Sequence, residues 1–446
     1  MAGAGFKTFA TGEVLTASDV NTYLMQQTVM VFADSTARST ALGANVAQGM
    51  LSFLKSDNTL YAYNGSAWVT PVAGDISGVT AGTALTGGGT SGDVTLNYDL
   101  ANYGNAKFVA GRNKFINGDF SINQRAFSST GTTGTYGFDR WLMEFANGTC
   151  TYSAQTFTTG TAPVTGYEGK NFARIVTASQ STASSFCALE QKIESARTFA
   201  GQTVTFSFWA KASTGTPNVG VSIEQAFGTG GSPSNSVITS PAVQAITSSW
   251  ARYSFTISVP SISGKTFGTN NDDCIRSWIF TSSGTSISGL GYAATGVQNA
   301  TIDIWGVQLE AGSTASPFTT ATGTIQGELA ACQRYYEKSY DQATAPAANT
   351  GTTGNGCFRK SPDATVSYMS FGTIIFQTAK RTAPTITCYN PVTGSSATPA
   401  RNDTGTINAG IDRDAIGQHS FHANISNVSV GTGTVMAFHF IAEAEL

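Results

Sequence analysis

The sequence predicts a mainly β protein divided into several small domains, and three observations carry that reading. Only 11% of residues are charged, against roughly 25% in ordinary soluble domains, while 49 are Gly and Ser and Thr recur throughout. A surface of that composition is covered by hydroxyls and backbone, which suits short strands and tight turns: Gly supplies positive φ and Thr fits a pleated sheet. Thr203–Ala210, Arg252–Val259 and Thr301–Val307 alternate in polarity with a period of two. At 446 residues the chain exceeds one domain of roughly 100–200 residues.

Residues 1–72 read as a small α+β segment. Thr16 followed by Asp19 marks a capped helix start, with Val20, Tyr23, Leu24 and Gln27 continuing at helical spacing. Two strands, Met50–Lys55 and Leu60–Tyr63, are joined by a turn at Asp57-Asn58. Residues 73–111 change abruptly to Gly and Thr, yet Ile76, Val79, Leu85, Val94 and Leu96 recur among the glycines. A stretch so poor in apolar side chains buries them by meeting other copies of itself, so it predicts an oligomer. Thr86–Gly92 lacks the Lys of a phosphate-binding loop.

Residues 112–318 show strand after strand at intervals of roughly 8–15 residues, the pattern of a two-sheet sandwich. Trp209, Trp278 and Trp305 lie in these strands and read as core before ligand platform, although sugars do stack on indole faces. Residues 319–340 read as a connecting helix with Ile325, Leu329, Cys332 and Tyr336 on one face. Residues 341–446 form a second β unit, with strands near 364–377, 384–389, 418–430 and 433–443.

The formal net charge of −3, without a basic run, removes nucleic acid and membrane insertion as default partners. The first 20 residues lack the apolar core of a signal peptide, which predicts folding in a cytosol. Cys150, Cys187, Cys274, Cys332, Cys357 and Cys388 are widely spaced without a CxxC pair and read as buried free thiols. Catalytic groups are scarce. His419 and His422 are three apart in a strand and point to opposite faces, His439 sits between two Phe, and the clustered carboxylates Asp272-Asp273 and Asp412 with Asp414 read as turn formers. The expectation is therefore a protein that is not an enzyme. The competing expectation is a glycan-degrading spike using Asp272, Asp273 or Asp412, since glycan cleavage takes two carboxylates.

Several stretches together resemble bacteriophage tail-fibre and receptor-binding structural proteins. Gly82–Leu96 is similar to their glycine-rich shaft element. Asn117-Gly118-Asp119-Phe120, Gln124-Arg125 and Phe138-Asp139-Arg140-Trp141 resemble the opening of a jelly-roll domain, akin to carbohydrate-binding modules. Gln308–Gly312, Ser316-Pro317-Phe318 and Cys332–Lys338 resemble that domain's end and following helix. Gly12–Ala17 and Tyr63–Trp68 resemble the amino-terminal segment of phage minor structural proteins.

The resemblance implies an elongated homotrimer in the virion tail, assembled in the host cytoplasm. Residues 1–72 would hold it to other tail or virion proteins, followed by a Gly-rich β shaft, a jelly-roll β-sandwich and a C-terminal β domain that meet a host cell-surface glycan. A purely architectural tail or head-decoration fibre is the alternative within the same class. The resemblance also implies a structural calcium, with Asp119 and Asp303 as candidate ligands. By residue type alone, receptor contact is expected at Tyr292, Tyr389, Asn402 and His419.

Overall fold

The computed structural model describes residues 10–21, 28–71, 78–82, 85–90, 92–98 and 111–446. The chain divides into two compact units, 1–99 and 100–446. It is mainly β, and no described helix is long and apolar enough to cross a membrane.

In the first unit the helix start is as the capping box predicts: Thr16 Oγ1 accepts from the Asp19 backbone N–H, and Asp19 accepts from the Thr16 N–H. Tyr23, Leu24 and Gln27 lie outside the described residues, as does Ile76. A four-stranded sheet runs in the order β1 (Val29–Phe32), β2 (Leu51–Leu54), β3 (Thr59–Tyr63), β4 (Trp68–Val69). The hairpin turn is set by Asn58 at positive φ and by Asp57, which accepts from Thr59 N–H. A helix, Ser35–Leu42, covers one face of this sheet. Its Arg38 is buried there, donating to Ser52 Oγ and stacking on Trp68 at 4.3 Å from the ring centre. In the Gly/Thr-rich stretch Val79–Thr80, Leu85–Gly89 and Leu96–Tyr98 pair as three antiparallel strands, with Leu85 and Leu96 exposed.

The second unit opens with a β-sandwich. A seven-stranded sheet has at its centre Asn218–Ala226, Cys274–Ser283, Phe186–Glu194 and Leu142–Ala146. Facing it, a six-stranded sheet runs Ala251–Ser258, Thr203–Ala212, Thr301–Ala311, Asn171–Ala178, Thr149–Thr156 and Ser129–Thr130. From Asn171 onward successive long strands alternate between sheets, so every crossover contributes to one shared core that includes Trp141, Tyr152, Phe206, Phe208 and Trp305. Cys150 and Cys187 correct the free-thiol expectation: they sit on the two inner faces with Cα atoms 6.4 Å apart and form a disulfide between the sheets. Their 37-residue separation holds no local pattern that would announce the pairing. Cys274, Cys332 and Cys388 are buried free thiols and Cys357 is a half-buried one.

The connecting helix is shorter than expected, Ile325–Gln333, and Tyr336 already belongs to the strand Tyr336–Lys338. Its buried side is also different. Ile325 is 60% exposed, while Glu328 is buried because its carboxylate accepts from the backbone N–H groups of Asn117 and Thr322. Beyond it lies a second β core built on Phe421, Phe438 and Phe440. The strand Met436–Glu443 forms the axis of this core and pairs with four others.

The sandwich and the second core meet through a buried charged junction. Asp139 accepts from both the backbone and side-chain amides of Gln124, and Gln124 donates onward to the Tyr336 carbonyl. Arg140, 1% exposed, pairs with Glu445, donates to the Lys192 carbonyl and stacks on Tyr335 at 3.4 Å. Arg125 pairs with Glu445 at 3.2 Å and stacks on Tyr336 at 3.8 Å. Gly118 lies where the segment crosses the sandwich: a Cβ there would stand 2.2 Å from the Val307 carbonyl oxygen. Asn117 closes the loop by bonding the Ile122 and Asp139 carbonyls.

Two predictions follow from these contacts. Arg140→Ala leaves Glu445 with Arg125 alone and removes the stacking on Tyr335, and is expected to cost about 3 kcal/mol in urea unfolding. His439 is stacked on Tyr340 at 3.8 Å and shared between the Ser339 and Thr350 hydroxyls, and burial pushes its imidazole down to about 4. The unfolded state, near the ordinary value of about 6.5, takes the proton first. Stability is then full above that value and falls as pH drops from it toward 4. The urea midpoint is expected to be lower at pH 5 than at pH 7, with the difference reduced in His439→Asn.

Candidate functional site

Period-two alternation along Cys274–Ser283 sends Ile275 and Ile279 into the sandwich core and Arg276, Trp278 and Phe280 to the opposite face. Trp278 and Phe280 form there a second apolar cluster with Ala188 and Ala293, capped by the short helix Thr285–Ser288 and the loop after it. The result is a groove of about 220 Å³ on the outer face of the seven-stranded sheet. Trp278 and Phe280, 4% and 2% exposed, lie beneath its floor, and Phe186, Ile287, Leu290 and Tyr292 make its apolar walls. Leu290 is 66% exposed.

Glu144 and Arg276 form the polar rim. Arg276 occupies the centre of three carboxylates on neighbouring strands: Glu190 at 2.7 Å, Glu224 at 3.5 Å and Glu144 at 3.6 Å. Its guanidinium also lies 4.5 Å from the Trp278 ring centre. Glu190 is fully buried, and burial pushes its carboxyl above the ordinary range against the pull of Arg276. Tyr292 donates its hydroxyl to Glu224 at 2.9 Å and packs edge-on against Trp278, so its ring is fixed at both ends. The Trp278 indole N–H has no acceptor among the described residues.

Three wider grooves are more polar. One of about 520 Å³ follows residues 311–316 with Arg112, Lys114 and Glu310, and Phe199 is the one aromatic residue in its wall. Another, about 410 Å³, lies between Asp119, Tyr167, Lys170 and the helix residue Glu328, and a third of about 470 Å³ continues from it along Asn123 and Asn171.

No family model matches the chain, and no curated protein matches it. Solved structures similar to it include the enzymatically active domain of tailspike protein 4 of bacteriophage CBA120, at 14% identity and a TM-score of 0.27, covering 45% of this chain and 22% of that one. A family 11 carbohydrate-binding module from Clostridium thermocellum, solved with a β-1,3-1,4-mixed-linked tetrasaccharide, matches at 10% identity and a TM-score of 0.25, covering 42% and 99% of the two chains. The CBM22-1 xylan-binding domain from Paenibacillus barcinonensis matches at 11% identity and a TM-score of 0.25, covering 46% and 98%. The chain thus spans under a quarter of the tailspike it matches.

Of the residues expected at a receptor site, Tyr292 lines the aromatic groove. The other three lie in the second β core, away from it. Tyr389 is half-buried, paired in register with His439. Asn402 corrects its expectation: it is 2% exposed, and its amide is spent on Thr404, Thr406 and the Ile407 N–H, which makes it a turn staple. His419 is exposed, and its neighbour in sequence His422 is tied to Asp414, Ser370 and Asn424.

The calcium expectation meets a poor fit. Both oxygens of Asp303 are taken by Arg174, at 2.7 and 2.9 Å, with Lys211 at 3.7 Å, a cationic surround that opposes a second cation. Asp119 accepts from the Tyr167 hydroxyl and the Ser121 N–H. No group of three or more His, Cys, Asp or Glu able to hold a metal occurs among the described residues. The carboxylates weighed for glycan cleavage are engaged as well. Asp272 accepts from the Thr229 N–H and hydroxyl, which hold its carboxyl below the ordinary range, Asp273 caps Ala196, and Asp412 accepts from Ser426 on a short edge strand, Asp412–Asp414, where a turn was expected.

Trp278 is buried, as its core reading expected, whereas Glu144, Glu190, Glu224 and Arg276 were not singled out in the sequence. The available signal was bulk on both faces of Cys274–Ser283: a strand with Ile inward and Arg, Trp and Phe outward has something to cover on each side. Arg276→Ala would leave Glu190 buried beside two further carboxylates, and is expected to cost about 3 kcal/mol. Because Glu190 then prefers to be neutral when folded, the loss grows as pH rises above the ordinary carboxylate value. Urea midpoints at pH 4.5 and 7.5 test this: the variant is expected to fall further behind at the higher pH.

Proposed function

We propose that this protein is a bacteriophage tail-fibre subunit that binds a host-surface glycan, without cleaving it, in the groove over Trp278. The observation that carries the reading is the groove's chemistry. Tyr292 and Leu290 present apolar surface above the buried rings of Trp278 and Phe280, and Arg276 and Glu144 stand at one rim, the combination that meets a sugar's C–H face and its hydroxyls together. Its 220 Å³ is below the roughly 300–1,000 Å³ of drug-sized pockets, so it suits a ring or a short terminus of a glycan.

Cleavage is not favoured by the same geometry. A retaining or inverting pair needs one carboxylate free to protonate and another free to attack or to activate water. Here Glu190 is locked on Arg276 and Glu224 on Tyr292 and Arg276. Fibre assembly is supported by the three-stranded Gly/Thr-rich sheet, whose Leu85 and Leu96 are 39% and 44% exposed with no described cluster to bury them. In a homotrimer these side chains would meet their copies, and residues 1–72 would hold the assembly to other virion proteins.

The test is a host-glycan array probed with the full-length protein, followed by calorimetric titration of the best ligand. Tyr292→Ala is expected to weaken binding about fivefold, the value of about 1 kcal/mol of aromatic contact. Ligand recovered with no new reducing ends is expected after prolonged incubation. Retention of full affinity in the variant would move the site elsewhere, and no binding to any host glycan would leave an architectural role.

A further inference from the structure

The second β core carries, on the face turned away from its hydrophobic residues, a relay of three side chains from three neighbouring strands. Val366–Ile375, Ser420–Val430 and Asp412–Asp414 form a three-stranded sheet with Ser420–Val430 in the middle. Alternation sends Met369, Ile374, Phe421, Ala423 and Ile425 into the core and leaves Ser370, His422 and Asp414 on the other face. Asp414 stands opposite His422 in register, and a β-bulge between Ser370 and Gly372 re-aims the serine toward the same imidazole. The ring is held between the two: Nε2 lies 2.9 Å from Ser370 Oγ, and Nδ1 lies 3.1 Å from an Asp414 carboxylate oxygen.

The chemistry of the partners sets the direction of the relay. An ionised carboxylate only accepts, so Asp414 holds the ring proton on Nδ1 and leaves Nε2 to accept from the Ser370 hydroxyl. Asn424, 3% exposed, lies 3.1 Å from Nδ1 and donates to the other Asp414 oxygen at 3.2 Å, so the carboxylate is fixed at both ends. Ser370 Oγ accepts in turn from the Gly372 N–H at 2.9 Å, which holds the oxygen in place. Stapling the sheet would need only one of these contacts. A hydroxyl, an imidazole and a carboxylate in that order are the parts of an acyl-transfer site, which geometry identifies and sequence position does not. The imidazole side chain is 29% exposed, and Tyr368 and Ile375, on the serine's own strand, are 54% and 73% exposed. An open face of this kind meets a group carried on a larger molecule, where an enclosed pocket would take a small free one.

We propose that Ser370 is a nucleophile that removes short acyl esters, such as O-acetyl groups, from a hydroxyl-bearing polymer, with His422 as its base and Asp414 as a positioning residue. Ser370 Oγ attacks the ester carbonyl carbon while its proton passes to His422 Nε2. The ester C–O bond then breaks, the leaving alkoxide takes that proton, and the acyl group stays on Oγ. Water, giving a proton to the same Nε2, attacks the acyl carbon, and Oγ leaves with the proton as the carboxylic acid departs. Glycosidic bonds are untouched, so this activity stands beside the glycan reading and does not need the groove over Trp278.

Incubation of the full-length chain with a fluorophosphonate, followed by peptide mass spectrometry, tests the nucleophile, and one adduct on Ser370 is expected. Release of p-nitrophenolate from p-nitrophenyl acetate gives the rate. Ser370→Ala and His422→Gln are each expected to lower it about a hundredfold, the lower end of what a positioned base supplies. Asp414→Asn is expected to lower it about tenfold and to move the rising limb of the pH–rate profile to lower pH, because the imidazolium loses its carboxylate. Asp412→Asn, which removes the same charge from the same strand, is expected to change neither. No adduct at Ser370 would overturn the proposal, and so would a Ser370→Ala rate equal to wild type, the sign of an imidazole acting alone. The adduct is read on the unsubstituted chain, so it decides the question even where a variant does not fold. Calorimetric titration with the glycan, on the same samples, separates this outcome from failure of the glycan reading.

Discussion

The second unit depends on charges that have been taken out of water. Arg140, Asp139 and Arg125 could not remain ionised at the centre of the chain unless each met an opposite charge or an aromatic face, and each does. The partners come from distant sequence: Gln124 and Asp139 from the start of the sandwich, Tyr335 and Tyr336 from the connector, and Glu445 from beyond the last strand. Folding of the second core is thereby coupled to folding of the sandwich, because neither side can satisfy its buried charge alone. A hinge at this position would expose four ionised groups to a half-dry crevice, so the two β bodies are expected to move as one.

The same logic explains the groove. Arg276 is tolerated under an aromatic cluster because three strands each bring a carboxylate to it. Those carboxylates are fixed by the sheet's register, so the polar rim is as rigid as the backbone that carries it. Tyr292 is held in turn by Glu224. If the groove takes a glycan as proposed, a surface assembled this way would lose little side-chain entropy on occupation, which matters most for weakly held ligands.

Period-two alternation made the architecture legible. Thr203–Ala212, Ala251–Ser258 and Thr301–Ala311 are strands of one sheet as their patterns predict, and the hairpin around Asp57-Asn58 follows its turn chemistry. What escaped is whatever depends on pairing across long separations. Cys150 and Cys187 are unremarkable until two sheets bring them together. Glu328 looked like the solvent side of a helix and is the buried side, since the orphan N–H groups of Asn117 and Thr322 needed an acceptor there. The motif Phe138-Asp139-Arg140-Trp141 was visible as a resemblance, but its task, joining the two β bodies, depends on residues near 445. Three of the four receptor residues inferred from type alone fall outside the groove, because exposure and grouping are properties of the fold and not of residue identity.

The low charge of the chain ties these features together. A protein with few Lys and Glu to spread over its surface cannot cover apolar sheets with charged side chains, as ordinary soluble domains do. It must cover them with protein. In the second unit the short helix Thr285–Ser288 and the loop after it perform that task over Trp278 and Phe280, and the groove lies above that covering. In the first unit one helix covers one face of a small sheet, and Val29, Val31, Leu60 and Val69 on the other face are partly exposed. In the homotrimer proposed for this chain, three weak sites on one assembly would gain by intramolecular rebinding, typically 10²–10⁴ over one site alone.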